Sequence, residues 1–101
     1  MRLRWTDPAQ TDLLAILDHI ARDDPAAAER VRRRLLSAVA ALTLQPRRGR
    51  PGRVAGTREL VIPRLPYIAI YRIFEAASST AGEIQVLRLL HGARRWPPRL
   101  R

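Results

Sequence analysis

The sequence predicts an α+β fold in the order β-α-α-β-β-β, an antiparallel sheet with a helical hairpin packed on one face. Three observations predict it. Apolar residues recur at helical spacing through two consecutive segments of the first half. Each of those segments opens on an Asp-Pro pair, a helix start signal. Beyond residue 56 the pattern changes to β-rich runs separated by turn residues.

The first strand is "RLRWT", 2–6, where Leu3 alternates with charged neighbours. The first helix follows, with Asp7 placed to accept backbone N–H bonds and Pro8 at a position where its missing donor is harmless. Leu13, Ile16, Leu17 and Ile20 then make one apolar stripe. Asp24 and Pro25 start the second helix, whose stripe is Val31, Leu35, Ala38 and Leu42. The link through Arg22 to Asp24 is too short for anything but an antiparallel hairpin, about 7–44. "QPRRGRPGRVAG", 45–56, has no periodicity and reads as a loop. Strands are expected at about 57–63, 67–74 and 83–91, the first two joined by a tight Pro-flanked turn. The middle run has Tyr67, Ala69, Tyr71 and Ile73 on one face and Ile68 and Ile70 on the other, the pattern of a central strand. In the last run, simple alternation sets Ile84, Val86, Arg88 and Leu90 against Leu87, Leu89 and His91.

At 101 residues the chain has room for one domain, 1–101, ending in a basic tail at 92–101. No run of apolar residues is long enough to span a membrane and the N-terminus lacks a secretory apolar region, so a soluble, cytoplasmic protein without a membrane partner is expected. There is no cysteine, and His19 and His91 stand far apart without neighbouring ligands, so neither a metal site nor a cofactor is expected. The glycines of 45–56 do not lie between a strand and a helix, which argues against a phosphate-cradling loop.

The net charge of +10 is unevenly placed. Residues 1–29 hold three arginines against six acids, and residues 30–101 hold sixteen arginines against Glu59, Glu75 and Glu83. Such a field concentrates polyanions and acidic protein surfaces around the C-terminal two thirds. "RVRRR", 30–34, reads as a solvated helix face and a secondary part of that footprint. A helical hairpin covers one face of a sheet, and the other face, lined by strand side chains and the tail, is the expected place of function.

"LRLLHGARRWPP", 87–98, concentrates the chemistry. Arg88 and His91 lie near the end of the last strand, and Gly92 lets the chain turn so that Arg94, Arg95 and Trp96 fold back toward the sheet. A guanidinium suits phosphate or carboxylate, an imidazole moves protons near neutral pH, and an indole stacks on a base or finishes a core. The structural alternatives are Arg88 paired with Glu59 or Glu75, His91 bonded to a backbone carbonyl and Trp96 packed on the helices. Arg58, Arg64 and Arg72 extend the same positive platform.

With these residues in view, the order of elements, the segment "GTRELVIPRLPYIAIYRI" and the closing "IQVLRLLHGARRWP" resemble the RelE/ParE superfamily, the toxins of bacterial type II toxin–antitoxin modules. The resemblance covers nearly the whole chain and rests on a Y-x-x-x-Y-R strand followed by a V-L-R-x-L-H strand. It implies a small basic toxin and a cognate antitoxin whose C-terminal segment silences it. An uncovered sheet face with Tyr67, Tyr71 and Arg64 would take an acidic amphipathic antitoxin segment.

Two activities divide the superfamily. RelE-like members cut mRNA on the ribosome and ParE-like members poison DNA gyrase. RNA cleavage needs a base for the 2′-hydroxyl, charge for the phosphate and an acid for the leaving oxygen. The resemblance assigns a metal-independent set of Arg58, Arg72, His91 and Arg94, and that set is incomplete. Leu60 stands where a second basic residue is expected, Ile68 where an arginine is expected, and no tyrosine follows Arg94. The R-x-L-H ending with its basic extension is the ParE-like pattern, so the resemblance favours gyrase as target, bound through Arg88, Arg94, Arg95, Trp96 and Arg99. The alternatives are a ribosome-dependent endoribonuclease and a degenerate, non-toxic binding module.

Overall fold

The computed structural model describes residues 1–75 and 82–92. The elements are β1 (Arg2–Trp5), α1 (Asp7–Ala21), α2 (Pro25–Ala40), two 3-10 turns (Ala41–Thr43 and Pro46–Arg48), β2 (Arg50–Pro51), β3 (Arg58–Val61), β4 (Tyr67–Phe74) and β5 (Glu83–His91). They form one sheet in the order β1-β5-β4-β3-β2 with both helices on one face.

Thr6 rather than Asp7 caps α1, its hydroxyl accepting the Ala9 N–H at 3.3 Å, and Asp7 and Pro8 fill the first turn. The same hydroxyl donates to the Val86 carbonyl at 2.9 Å, so the cap also fastens the start of α1 to β5. Asp24 caps α2 as expected, accepting from the Ala27 N–H at 3.0 Å. Early in α2, Glu29 is clamped by Arg32 at 2.6 Å and Arg33 at 3.1 Å. Those hydrogen bonds lower its carboxyl from the ordinary 4.5 to about 2. The folded value lies below the unfolded one, so the favourable contribution is present above the unfolded value and is lost as pH falls toward about 2. An NMR titration of Glu29 should show that low midpoint in the native chain and one near 4.5 in the Arg32→Ala/Arg33→Ala variant. A native midpoint near 4.5 would show the clamp to be absent in solution.

The core lies between the hairpin and the sheet, with Leu35, Val39 and Leu42 from the second helical segment against Leu60, Ile62, Ala69, Tyr71, Ile84, Val86 and Leu89. Val39 is fully buried although it is outside the stripe expected for α2, and Val31 and Ala38 are only half-buried. The stripe of α1 is also half-buried, and the one buried residue of that helix is Ala9, outside the stripe.

The expected all-antiparallel sheet is corrected in one place: β1 pairs with β5 in parallel, Leu3 opposite Ile84 and Trp5 opposite Val86. β3, β4 and β5 are antiparallel in succession. A short turn dictates antiparallel pairing, but β1 reaches β5 only after the helices and the other strands, so no local feature sets its direction. The segment 45–56 is also more than a loop, because it contributes a 3-10 turn and β2, which pairs Arg50 with Glu59.

A bulge in β5 changes the facing of the final strand. Tyr71 pairs with Val86 and Ile70 with Arg88, which leaves Leu87 without an opposite residue. Val86 and Leu89 therefore both face the helices, where simple alternation had set them on opposite faces.

Candidate functional site

The end of β5 forms one wall of a cleft of about 440 Å³ whose other wall is α1. Asp12, Ile16 and His19 face Tyr67, Arg88 and His91 across it. Arg88 meets α1 here: its Nε and Nη2 bond the two Asp12 carboxylate oxygens at 2.6 and 3.0 Å. The Leu89 N–H donates to the same carboxylate at 3.0 Å. This hydrogen bonding raises the pKa of the Arg88 guanidinium and keeps it charged. Neither Glu59 nor Glu75 is its partner, and as a target contact Arg88 is already committed to the joint between α1 and β5.

His91 stands edge-on to Tyr67, ring centroids 5.7 Å apart and planes at 85°. The Gly92 N–H donates to the Pro66 carbonyl at 2.7 Å, and the course of the chain beyond Gly92 lies outside the described residues. The two histidines share this cleft although 72 positions separate them in the chain. Sequence spacing carried no sign of that, because α1 and β5 meet only through the tertiary fold.

The tyrosines require a correction. Both Tyr67 and Tyr71 lie on the helix side of β4, not on the open face. Tyr71 is fully buried; its hydroxyl accepts the Gly49 N–H at 2.9 Å and donates to the Pro46 carbonyl at 2.6 Å. Alternation within β4 had correctly joined the two tyrosines on one face, but which face the helices cover was decided by packing. Arg64 is exposed in the β3–β4 turn at φ 65°, a left-handed conformation uncommon for a residue with a Cβ.

The proposed nuclease set is not gathered. Arg58 is latched to the 3-10 turn before β2, its Nε donating to the Gly49 carbonyl at 2.9 Å and its Nη2 to the Arg47 carbonyl at 3.1 Å. Arg72 is one residue along β4 from Tyr71 and so points to the opposite face, where its Nε is buried without a hydrogen-bond partner among the described residues. His91 pairs with Tyr67 at the other end of β4, about 17 Å along the strand from Arg72 at roughly 3.4 Å per residue. Arg94, Arg95, Trp96 and Arg99 lie outside the described residues. Among the described residues, no three His, Cys, Asp or Glu side chains gather to hold a metal. No helix among them is long and apolar enough to cross a membrane.

The sequence profile of the ParE toxin of the type II toxin–antitoxin system parDE matches residues 3–96. The chain belongs to the ParE toxin family. A relative described as putative toxin Y4kP, from Sinorhizobium fredii, is 43% identical over 96 residues, covering 95% of this chain and 93% of that protein. Toxin RelE2 of Caulobacter vibrioides is 38% identical over 90 residues, covering 89% of this chain and 93% of the relative. Among solved structures, the chromosomal ParDE toxin–antitoxin system from P. aeruginosa superposes with a TM-score of 0.73 at 34% identity, over 88% of this chain and 92% of that one. The YoeB/ParE toxin from Agrobacterium tumefaciens shares the fold, with a TM-score of 0.58 at 19% identity over 88% of this chain and 96% of its own. The protein is thus a type II toxin of the RelE/ParE superfamily, and membership implies an antitoxin partner.

Proposed function

We propose that this toxin arrests bacterial growth by ParE-like inhibition of DNA gyrase, engaging its target through the basic segment that contains Arg94, Arg95, Trp96 and Arg99 in the cytoplasm. The observation that carries the reading is the dispersal of the acid–base set. Ribonuclease chemistry needs a base, a phosphate-stabilising cation and an acid around one phosphate, within hydrogen-bond reach. Here Arg58 is spent on backbone carbonyls, Arg72 is on the opposite face and His91 is at the far end of β4. A toxin that works by binding needs no such convergence, only a charged surface complementary to its target.

The test is inducible expression without antitoxin, following growth, SOS induction and mRNA integrity in the same cells. SOS induction with filaments and intact mRNA is the expected result. The Arg94→Glu/Arg95→Glu/Arg99→Glu variant should then need about 10- to 100-fold more toxin for the same response, since three charge contacts at up to about 1 kcal/mol each are reversed. Prompt cuts within translated codons, abolished by His91→Ala or Arg94→Ala, would establish the RelE-like ribonuclease instead. Absence of growth arrest by a folded protein would leave a non-toxic binding module.

A further inference from the structure

We propose that the sheet face turned away from the helices is the seat of the chain's own C-terminal segment, residues 93–101, with Trp96 resting on an apolar row formed by Val61, Ile68 and Leu90. Such a seat would hold the basic segment in place whichever target that segment meets. The register builds the row: Val61 pairs with Ile68 and Ile68 with Leu90, so the three side chains stand side by side across β3, β4 and β5. Both helices pack on the other face, where Tyr67, Ala69 and Tyr71 point. Along β4 the open face continues through Ile70, Arg72 and Phe74. A strand with one solvated face alternates apolar with polar residues, whereas β4 is apolar on both sides over most of its length. Ile70 is fully buried although it lies outside the core beneath the helices, while Val61 is 52% exposed. A face of this composition calls for an apolar cover.

Length, attachment point and charge select the occupant. The described residues end at Gly92, whose N–H is held by the Pro66 carbonyl and where a Cβ would lie 3.9 Å from the Ile68 Cδ1. Residues 93–101 therefore begin beside the middle of the row. Nine extended residues reach about 30 Å, and the row from β5 to β3 is only about 10 Å wide at roughly 4.8 Å per strand. The segment brings Trp96 and Leu100 as apolar groups, and Pro97 and Pro98 donate no N–H, so it is suited to lie on the face by its side chains and not to lengthen the sheet. The row itself carries no charged side chain, and Arg2, Arg4 and Arg72 are gathered beside Glu83 and Gln85 at the other end of the face, away from the basic segment's start. A second copy of the chain on this face would set those arginines against their own counterparts, which disfavours it. A tethered segment also competes at high effective concentration against any free chain. Seated in this way, Arg94, Arg95 and Arg99 would project from a fixed place on the sheet.

The experiment is a double-mutant cycle of Val61→Ser and Trp96→Ala in the purified toxin, followed by thermal melting in circular dichroism. Alongside it, acrylamide quenching is measured in a Trp5→Phe chain, where Trp96 is the one indole. Val61 is half-exposed, so Val61→Ser removes an apolar contact without opening the core. Trp96→Ala should lower the melting temperature by about 4–8 °C. Val61→Ser should lower it by clearly less in the Trp96→Ala chain than in the native one, because the two side chains share a contact. Trp96 should be shielded from acrylamide in the folded chain and lose that shielding with Val61→Ser. Strictly additive losses, or quenching of Trp96 equal to that in urea, would overturn the seat. Shielding that disappears on dilution would overturn it in favour of a second copy, and shielding indifferent to Val61→Ser would put Trp96 against another surface such as the helices. Should Trp5→Phe fail to fold, the melting cycle alone decides. None of these readouts involves gyrase, so the seat and the gyrase reading can fail separately.

Discussion

Replacing Tyr71 with Phe is expected to lower the unfolding free energy by about 2 kcal/mol, within the 1–3 kcal/mol typical of a buried polar group left unpaired. The ring would stay in the core, but the Gly49 N–H and the Pro46 carbonyl would both lose their hydroxyl partner. No close replacement is at hand: a Cβ on Gly49 would already lie 2.7 Å from the hydroxyl and 2.8 Å from the Glu59 carbonyl oxygen, so that turn fits tightly round the phenol. Tyr71→Ala should cost more, about 3–5 kcal/mol, because it adds a core cavity. Urea denaturation with an unchanged m-value measures both. If Tyr71 instead lay on a partner surface, Tyr71→Phe would shift antitoxin affinity and leave stability within about 0.5 kcal/mol of the native chain.

Asp12→Ala should destabilise the fold by about 2–3 kcal/mol. Breaking a fully buried ion pair costs about 3–5 kcal/mol. The Arg88 and Asp12 side chains are 25% and 16% exposed, so water recovers part of that cost. The variant would leave the Arg88 guanidinium half-buried without its carboxylate and the Leu89 N–H without its acceptor. A double-mutant cycle with Arg88→Ala should return a coupling of about 1–2 kcal/mol. A coupling near zero would mean that the bidentate contact contributes nothing to stability in solution. The same arithmetic bears on toxicity assays: growth restored by Arg88→Ala reports loss of folded toxin unless its level and melting point match the native chain. Arg94, Arg95 and Arg99 are the positions for testing target contact.

These two residues mark how far the candidate site could be read from sequence. Arg88 was singled out by its place near the end of a strand, but its partner lies 76 positions away on α1. Tyr71 and Tyr67 were correctly placed together on one face of β4, because a strand alternates with period two. Which face that is depends on where the hairpin lands, and the burial of Tyr71 answers it. The bulge at Leu87 leaves no composition signal, since Leu87 is an ordinary strand residue. It therefore defeated the alternation of β5 between Val86 and Arg88, which pair with Tyr71 and Ile70 on opposite faces of β4.

The amino-acid sequence by itself determined the local elements: two helices opened by Asp-Pro pairs, the two long strands β4 and β5, and a positive field confined to residues 30–101. It also determined the family, whose profile matches residues 3–96. Caps, turns and periodicity act between residues a few positions apart, which is why they are legible along the chain. The tertiary structure alone decided the parallel pairing of β1 with β5, the covered face of β4 and the Arg88–Asp12 joint. Each of these depends on packing between segments distant in sequence, and burial and charge pairing there are set by the assembled elements together.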